Sequence, residues 1–207
     1  MTEYIKKYQK LLVGIALGIA TCLFAISVAN PSQALNQNFP SNQIDVINYQ
    51  NLAEAELIAQ DESSTSSKIF QLKTYSAILL GDNVFPNPAS SSASGAVGAA
   101  LNGNRLIVRG GFRALSSTLR DYASDPAVPA NPNITSGVHI HRGSSQQNGP
   151  FQYALQVTLS DDGLSGNLRG EYTLTDEQIE ALNTGGLYVD IHTKSFRAGE
   201  LRGVLKA

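Results

Sequence analysis

Cysteine occurs once in this chain, at position 22, and tryptophan not at all. A lone cysteine excludes an intrachain disulfide framework and any multi-thiolate metal site. Charged residues make up only 15% of the sequence, low for a soluble domain. The formal net charge is −2 with no basic patch, which leaves no electrostatic basis for nucleic-acid binding. Serines are plentiful, yet none sits in a Gly-x-Ser-x-Gly elbow, and no pair of carboxylates carries a glycosidase signature. The sequence therefore holds no recognisable catalytic set and does not read as an enzyme. Histidine is equally scarce, with three copies, His139, His141 and His192, but these fall on two strand-like segments where they can converge.

Residues 1–34 read as an export signal. Lys6, Lys7 and Lys10 form a positive n-region, Leu11 to Ala29 an apolar run, and Ser32-Gln33-Ala34 a small-residue exit resembling a cleavage site. The run is 19 residues long, enough to cross a bilayer as an uncleaved anchor, although Gly14, Gly18, Thr21 and Ser27 weaken that alternative. Thr21 is bulkier than the residue that lipid attachment at Cys22 would require. Cleavage after Ala34 takes the net charge from −2 to −4 and removes the only thiol. The expectation is a secreted, periplasmic or cell-envelope protein that meets a membrane only through this segment, if it is retained.

Residues 35–68 are polar. Ile44 to Ala59 shows a weak helical pattern (Ile44, Ile47, Leu52, Ala55, Ile58), and the acidic, serine-rich tract at 61–67 cannot bury a core. A flexible spacer is the expectation, with a helix packing back on the domain as the alternative. From Ile69 to the C-terminus the signals change to period-two alternation and turns. Strands are expected at Ile69–Leu80, Ala96–Leu101, Arg105–Phe112, Gly137–His141, Gln152–Leu159, Gly166–Leu174, Leu187–His192 and Leu201–Leu205. Asn102-Gly103-Asn104 and Asp161-Asp162-Gly163 are hairpin turns, because Asn and Gly accept positive φ at little cost. Thr175 and Gln178 form a capping box that starts a short helix over 176–184, with Ile179 and Leu182 on its buried side and Gly185 to end it. Two long proline-containing loops, 82–95 and 121–136, are candidates for function. The pattern predicts an all-β fold for 69–207: an antiparallel sandwich, Ig-like or Greek-key, of about seven to nine short strands.

Side chains alternate across a strand. His139 and His141 therefore share a face opposite Val138 and Ile140, and Tyr188, Asp190 and His192 share a face opposite Leu187, Val189 and Ile191. Glu200 and Arg202 stand together on the closing segment. The result is one polar face of His139, His141, Asp190, His192, Glu200 and Arg202, bordered by Arg142. Two histidines two apart, with a third and a carboxylate from another strand, suit zinc or copper. Asp190 would be the fourth ligand or would orient an imidazole from behind. The same residues also suit a polar network in which imidazoles meet backbone carbonyls and Glu200 pairs with Arg202 or Arg142. Spacing alone leaves both open.

The motif His139-Ile140-His141-Arg142-Gly143 followed by Asn148-Gly149-Pro150 resembles a stretch of the CHRD domain, the repeat first recognised in chordin. The likeness continues through Leu174-Thr175, Gln178, Leu182 and Gly186 to Thr193, and ends at Gly199-Glu200-Leu201-Arg202-Gly203. Upstream, Tyr75 to Leu80, Pro86, Pro88 and Ser94-Gly95 are similar to the family's first strand and following loop. The resemblance covers about residues 70–207 and is most specific in the C-terminal half. Departures are the proline-rich insertion before Gly137, and Asp190, where the family often has asparagine. The resemblance implies a β-sandwich of secreted proteins with no established catalytic activity; the ligand-binding role of chordin does not carry over, and the expectation for a partner is an unidentified extracytoplasmic protein or glycan. His-x-His is also similar to half of the copper motif of Cu/Zn superoxide dismutases, whose disulfide cysteines and zinc-loop histidines have no counterpart here.

Overall fold

The structure is a computed structural model and describes residues 46–61 and 72–207. The expected export signal and parts of the expected spacer lie outside the described residues. Helix α1 (Val46–Asp61) precedes β1 (Lys73–Leu80), a 3-10 turn at Gly81–Asn83, β2 (Ser94–Asn102) and β3 (Arg105–Arg113). After the proline-rich loop come β4 (Val138–Arg142), β5 (Phe151–Ala154), β6 (Gln156–Leu159) and β7 (Gly166–Thr173). Helix α2 (Asp176–Asn183), β8 (Leu187–Ile191) and β9 (Leu201–Val204) complete the chain.

The all-β, antiparallel expectation holds, but the nine strands form one sheet in the order β5-β4-β8-β9-β1-β2-β3-β7-β6 rather than the two sheets of a sandwich. The difference turns on Leu155. The alternation of Gln152–Leu159 reads as a single strand, yet the chain divides there. β5 pairs with β4 at one end of the order, while β6 pairs with β7 at the other. Leu155 itself is buried, with its N–H donating to the Val138 carbonyl at 2.9 Å. One residue thus separates the two terminal strands of the sheet, so the sheet must curl on itself into a nearly closed barrel.

Inward side chains fill that barrel: Tyr75, Ala77 and Leu79 from β1, Val97 and Leu101 from β2, Leu106 and Val108 from β3. Val138 and Ile140 join them, as do Leu187, Val189 and Ile191 of β8. By alternation His139, His141, Tyr188, Asp190 and Arg202 stand on the outer surface of the sheet. Helix α2 keeps its capping box, with Gln178 N–H donating to Thr175 Oγ1 and Thr175 N–H to Gln178 Oε1. It buries Leu182 and ends where Gly185 takes φ +71°.

Residues 46–61 are helical and packed, which corrects the flexible-spacer reading for this stretch. Ile47, Leu52 and Ile58, part of the sequence pattern, are exposed. The buried contacts are instead Ala53 and Leu57 against Ala100 and Ile107. β2 provides the seat because its outward residues, Ala96, Gly98 and Ala100, are small. A Cβ on Gly98 would lie 2.1 Å from the Gln50 backbone nitrogen, so only glycine permits this approach. Arg109 of β3 adds an ion pair to Glu56. Gly98→Val is therefore expected to lift α1 from the sheet and destabilise the protein by about 1–3 kcal/mol through overpacking. Hydrogen exchange should quicken in 46–61 while β4, β8 and β9 keep their protection; unchanged exchange in α1 would contradict the packing.

Candidate metal centre

Three neighbouring strands build the site. The register sets His139 opposite Asp190 and His141 opposite Tyr188 across β4 and β8. Asp190 lies opposite Arg202 across β8 and β9. His192 follows one residue after β8, and its N–H donates to the Gly137 carbonyl at 2.7 Å, which holds it beside β4. One ligand atom from each of His139, His141, Asp190 and His192 lies within 4.8 Å of all the others. His139 and Asp190 are about 1–2% exposed and His192 8%.

Each imidazole gives one nitrogen to a backbone carbonyl. His139 Nε2 is 2.7 Å from Ser136 O, His141 Nδ1 is 3.0 Å from Gly149 O, and His192 Nδ1 is 3.0 Å from Arg197 O. A carbonyl only accepts, so the facing nitrogen carries hydrogen. In the neutral ring the other nitrogen is then a lone pair, which is the tautomer arrangement of metal-bound histidines. The carbonyl that faces His141 Nδ1 belongs to Gly149, where a Cβ would sit 1.6 Å from Arg142 O. Only glycine lets the 143–149 loop pass that close.

Asp190 sits at the centre. Its Oδ1 is 3.1 Å from His192 Nε2 and 3.2 Å from His141 Nε2, and its Oδ2 is 3.3 Å from Arg202 Nη2. The His192 contact is an aligned hydrogen bond. The His141 contact has the distance of an ion pair but not hydrogen-bond alignment, so the buried His141 Nε2 makes no hydrogen bond. Burial pushes the His139 imidazole down to about 4, reinforced by His192, so it stays neutral. For His192 burial acts downward as well, but the Asp190 carboxylate outweighs it and the net shift is upward. Burial also opposes ionisation of Asp190, yet His192 and His141 hold its carboxyl well below the usual carboxylate range. Without metal, a proton shared by His192 and Asp190 occupies the space where the lone pairs converge.

Aromatic rings enclose the cluster. Tyr188 stacks on His141 at 5.3 Å, Phe151 meets His139 edge-on at 5.3 Å, and Tyr122 covers His139 at 5.2 Å. Tyr122 comes from the proline-rich loop and is held under the Arg120 guanidinium, 4.4 Å from its ring centroid. Sequence reasoning missed Tyr122, Phe151 and Asn148. The Asn148-Gly149-Pro150 motif was the available signal for the last, and a loop tyrosine has none.

The remaining residues of the expected polar face divide. Arg202 joins the cluster through Asp190 and also donates to Asn148 Oδ1 at 2.9 Å. Glu200 does not join it. Fully buried, it accepts from Ser91 Oγ (2.6 Å), Ser116 N (2.8 Å), Ser116 Oγ (3.0 Å) and Thr193 Oγ1 (2.7 Å). The expected pairing of Glu200 with Arg202 or Arg142 is thus replaced by hydroxyl and backbone donors. Arg142 pairs at the surface with Glu177 at 3.1 Å.

The family model described as the CHRD domain matches residues 75–205, which includes every residue of the cluster. No curated protein and no solved structure matches the chain. The family match takes in the sheet from β1 to β9 and more than half of the sequence: the chain belongs to the CHRD domain family.

Proposed function

We propose that this protein is an exported, non-catalytic CHRD-type module whose site binds one zinc or copper ion through His139, His141, His192 and Asp190. The carrying observation is the convergence of three imidazoles, each with its other nitrogen on a backbone carbonyl, around a single carboxylate oxygen. Imidazole nitrogen and carboxylate oxygen are the donors these ions take. The burial of His139, Asp190 and His192 favours a closed site over a catalytic one. Export is supported by the charged, apolar and small-residue order of residues 1–34. The partner such a module would present itself to is an extracytoplasmic protein or glycan. A polar network without metal is the rival reading; His141 Nε2, 3.2 Å from Asp190 Oδ1 but not aligned for a hydrogen bond, argues against it, since such a network gains only when fully satisfied.

Protein purified without a His-tag should carry close to one metal per chain by elemental analysis, and chelation should lower its melting temperature. Restoring Zn²⁺ or Cu²⁺ at about 100 times Kd should recover about 2.7 kcal/mol of stability. Less than about a tenth of a metal per chain, with melting unmoved by either ion, would sink the reading.

A further inference from the structure

We infer that Arg202 sets the charge of the ion this site accepts, biasing it toward a monovalent cation such as Cu⁺; the inference rests on the metal-binding reading above. Asp190 is the single anionic ligand, and its Oδ2 faces Arg202 Nη2 at 3.3 Å with both side chains almost completely buried. Arginine remains charged at any relevant pH. The other contacts of the guanidinium are neutral: Asn148 Oδ1 at 2.9 Å, Gln147 O at 3.4 Å and the Tyr188 ring at 4.2 Å. Its charge is therefore directed at Asp190 alone among the described residues. Arg120, a cation felt by His192, is itself paired with Asp125 at 2.9 Å.

The consequences follow from charge counting. Metal binding requires the histidines as neutral lone-pair donors. Three neutral imidazoles and a carboxylate cancelled by a guanidinium form a donor set with no net charge. Any ion then brings uncompensated charge into a water-poor space, and that cost rises steeply from one charge to two. Arg202 also holds Asp190 to a single available oxygen, since Oδ2 is occupied and Oδ1 is the atom among the imidazoles. The Tyr188 ring contacts both the guanidinium and the His141 ring. Arg202 is thus a specificity-determining residue that need not touch the ion.

The test compares Ag⁺ and Zn²⁺ as probes, both closed-shell ions free of redox chemistry, by chelator competition on the metal-free protein. Replacing Arg202 with methionine keeps the stem on Tyr188 and removes the charge. Arg202→Met should raise Zn²⁺ affinity relative to Ag⁺ by about tenfold or more, the order expected for one buried unit charge at short range. Arg202→Gln, which keeps a donor for Asp190, should do the same, and it serves if the methionine variant does not fold. Arg202→Lys should stay near the wild-type ratio. A merely structural role would weaken both ions together and leave the ratio within about twofold, which would overturn the inference. Failure of wild-type protein to bind either ion would instead overturn the metal reading itself.

Discussion

Asp190→Ala is expected to cost the metal-free domain roughly 3–5 kcal/mol, because it strands a buried cation. Arg202 is 2% exposed, and Asp190 is its only ion-pair partner among the described residues. His192 loses its hydrogen-bond acceptor at the same time. Desolvating an arginine is tolerable only while a carboxylate faces it, and a buried pair with one member removed is worse than no pair. Urea titration should therefore show the single variant far below wild type. The double variant Asp190→Ala/Arg202→Met should recover much of the loss, since the stranded charge is gone. Neither variant should retain full metal affinity. A loss under about 1 kcal/mol for Asp190→Ala would mean that solvent reaches Arg202.

Glu200→Ala should be comparably severe, for a different reason. The carboxylate accepts from Ser91, from Thr193 and twice from Ser116, and no cation shares it among the described residues. Truncation leaves several buried donors facing a void. At roughly 1–3 kcal/mol per orphaned group, with partial relaxation, a loss of about 3–5 kcal/mol is expected in chemical denaturation. Glu200→Gln should lose much less, because one oxygen remains for the Ser116 N–H while the hydroxyls can rotate to accept from the amide. Both variants should keep the metal stoichiometry of wild type, as Glu200 is no ligand. If Glu200→Gln proves as damaging as Glu200→Ala, the charge itself is needed and the hydroxyl-cradle account fails.

Much of the site was legible because its residues lie on regular strands. Alternation alone put His139 and His141 on one face and Asp190 with His192 on another, and the ladder register brings those faces together. The capping box of α2 was equally local. Three features were not readable in this way. The break at Leu155 leaves the alternation intact, since both halves keep their pattern and only their partners differ. Helix α1 has only a weak apolar pattern, of which Ile47, Leu52 and Ile58 are exposed, and its docking is encoded on the other side, in the small residues of β2. The partner of Arg202 depended on which carboxylate stands across the ladder. Spacing put Glu200 beside Arg202, whereas register selects Asp190. Asp190 supplies the charge on which the proposed metal site and its arginine both depend.

The single-residue junction at Leu155 has a consequence for how the molecule meets its neighbours. A flat sheet of this size would present two long unpaired edges, each a template for another chain. Here the strands at the ends of the order, β5 and β6, are four residues each and are tethered to one another. A neighbouring molecule finds little ladder to extend, and no rim that can open without tearing Leu155 from the core. For a domain that cannot be cross-linked by disulfides, this closure is a built-in protection against edge-to-edge aggregation.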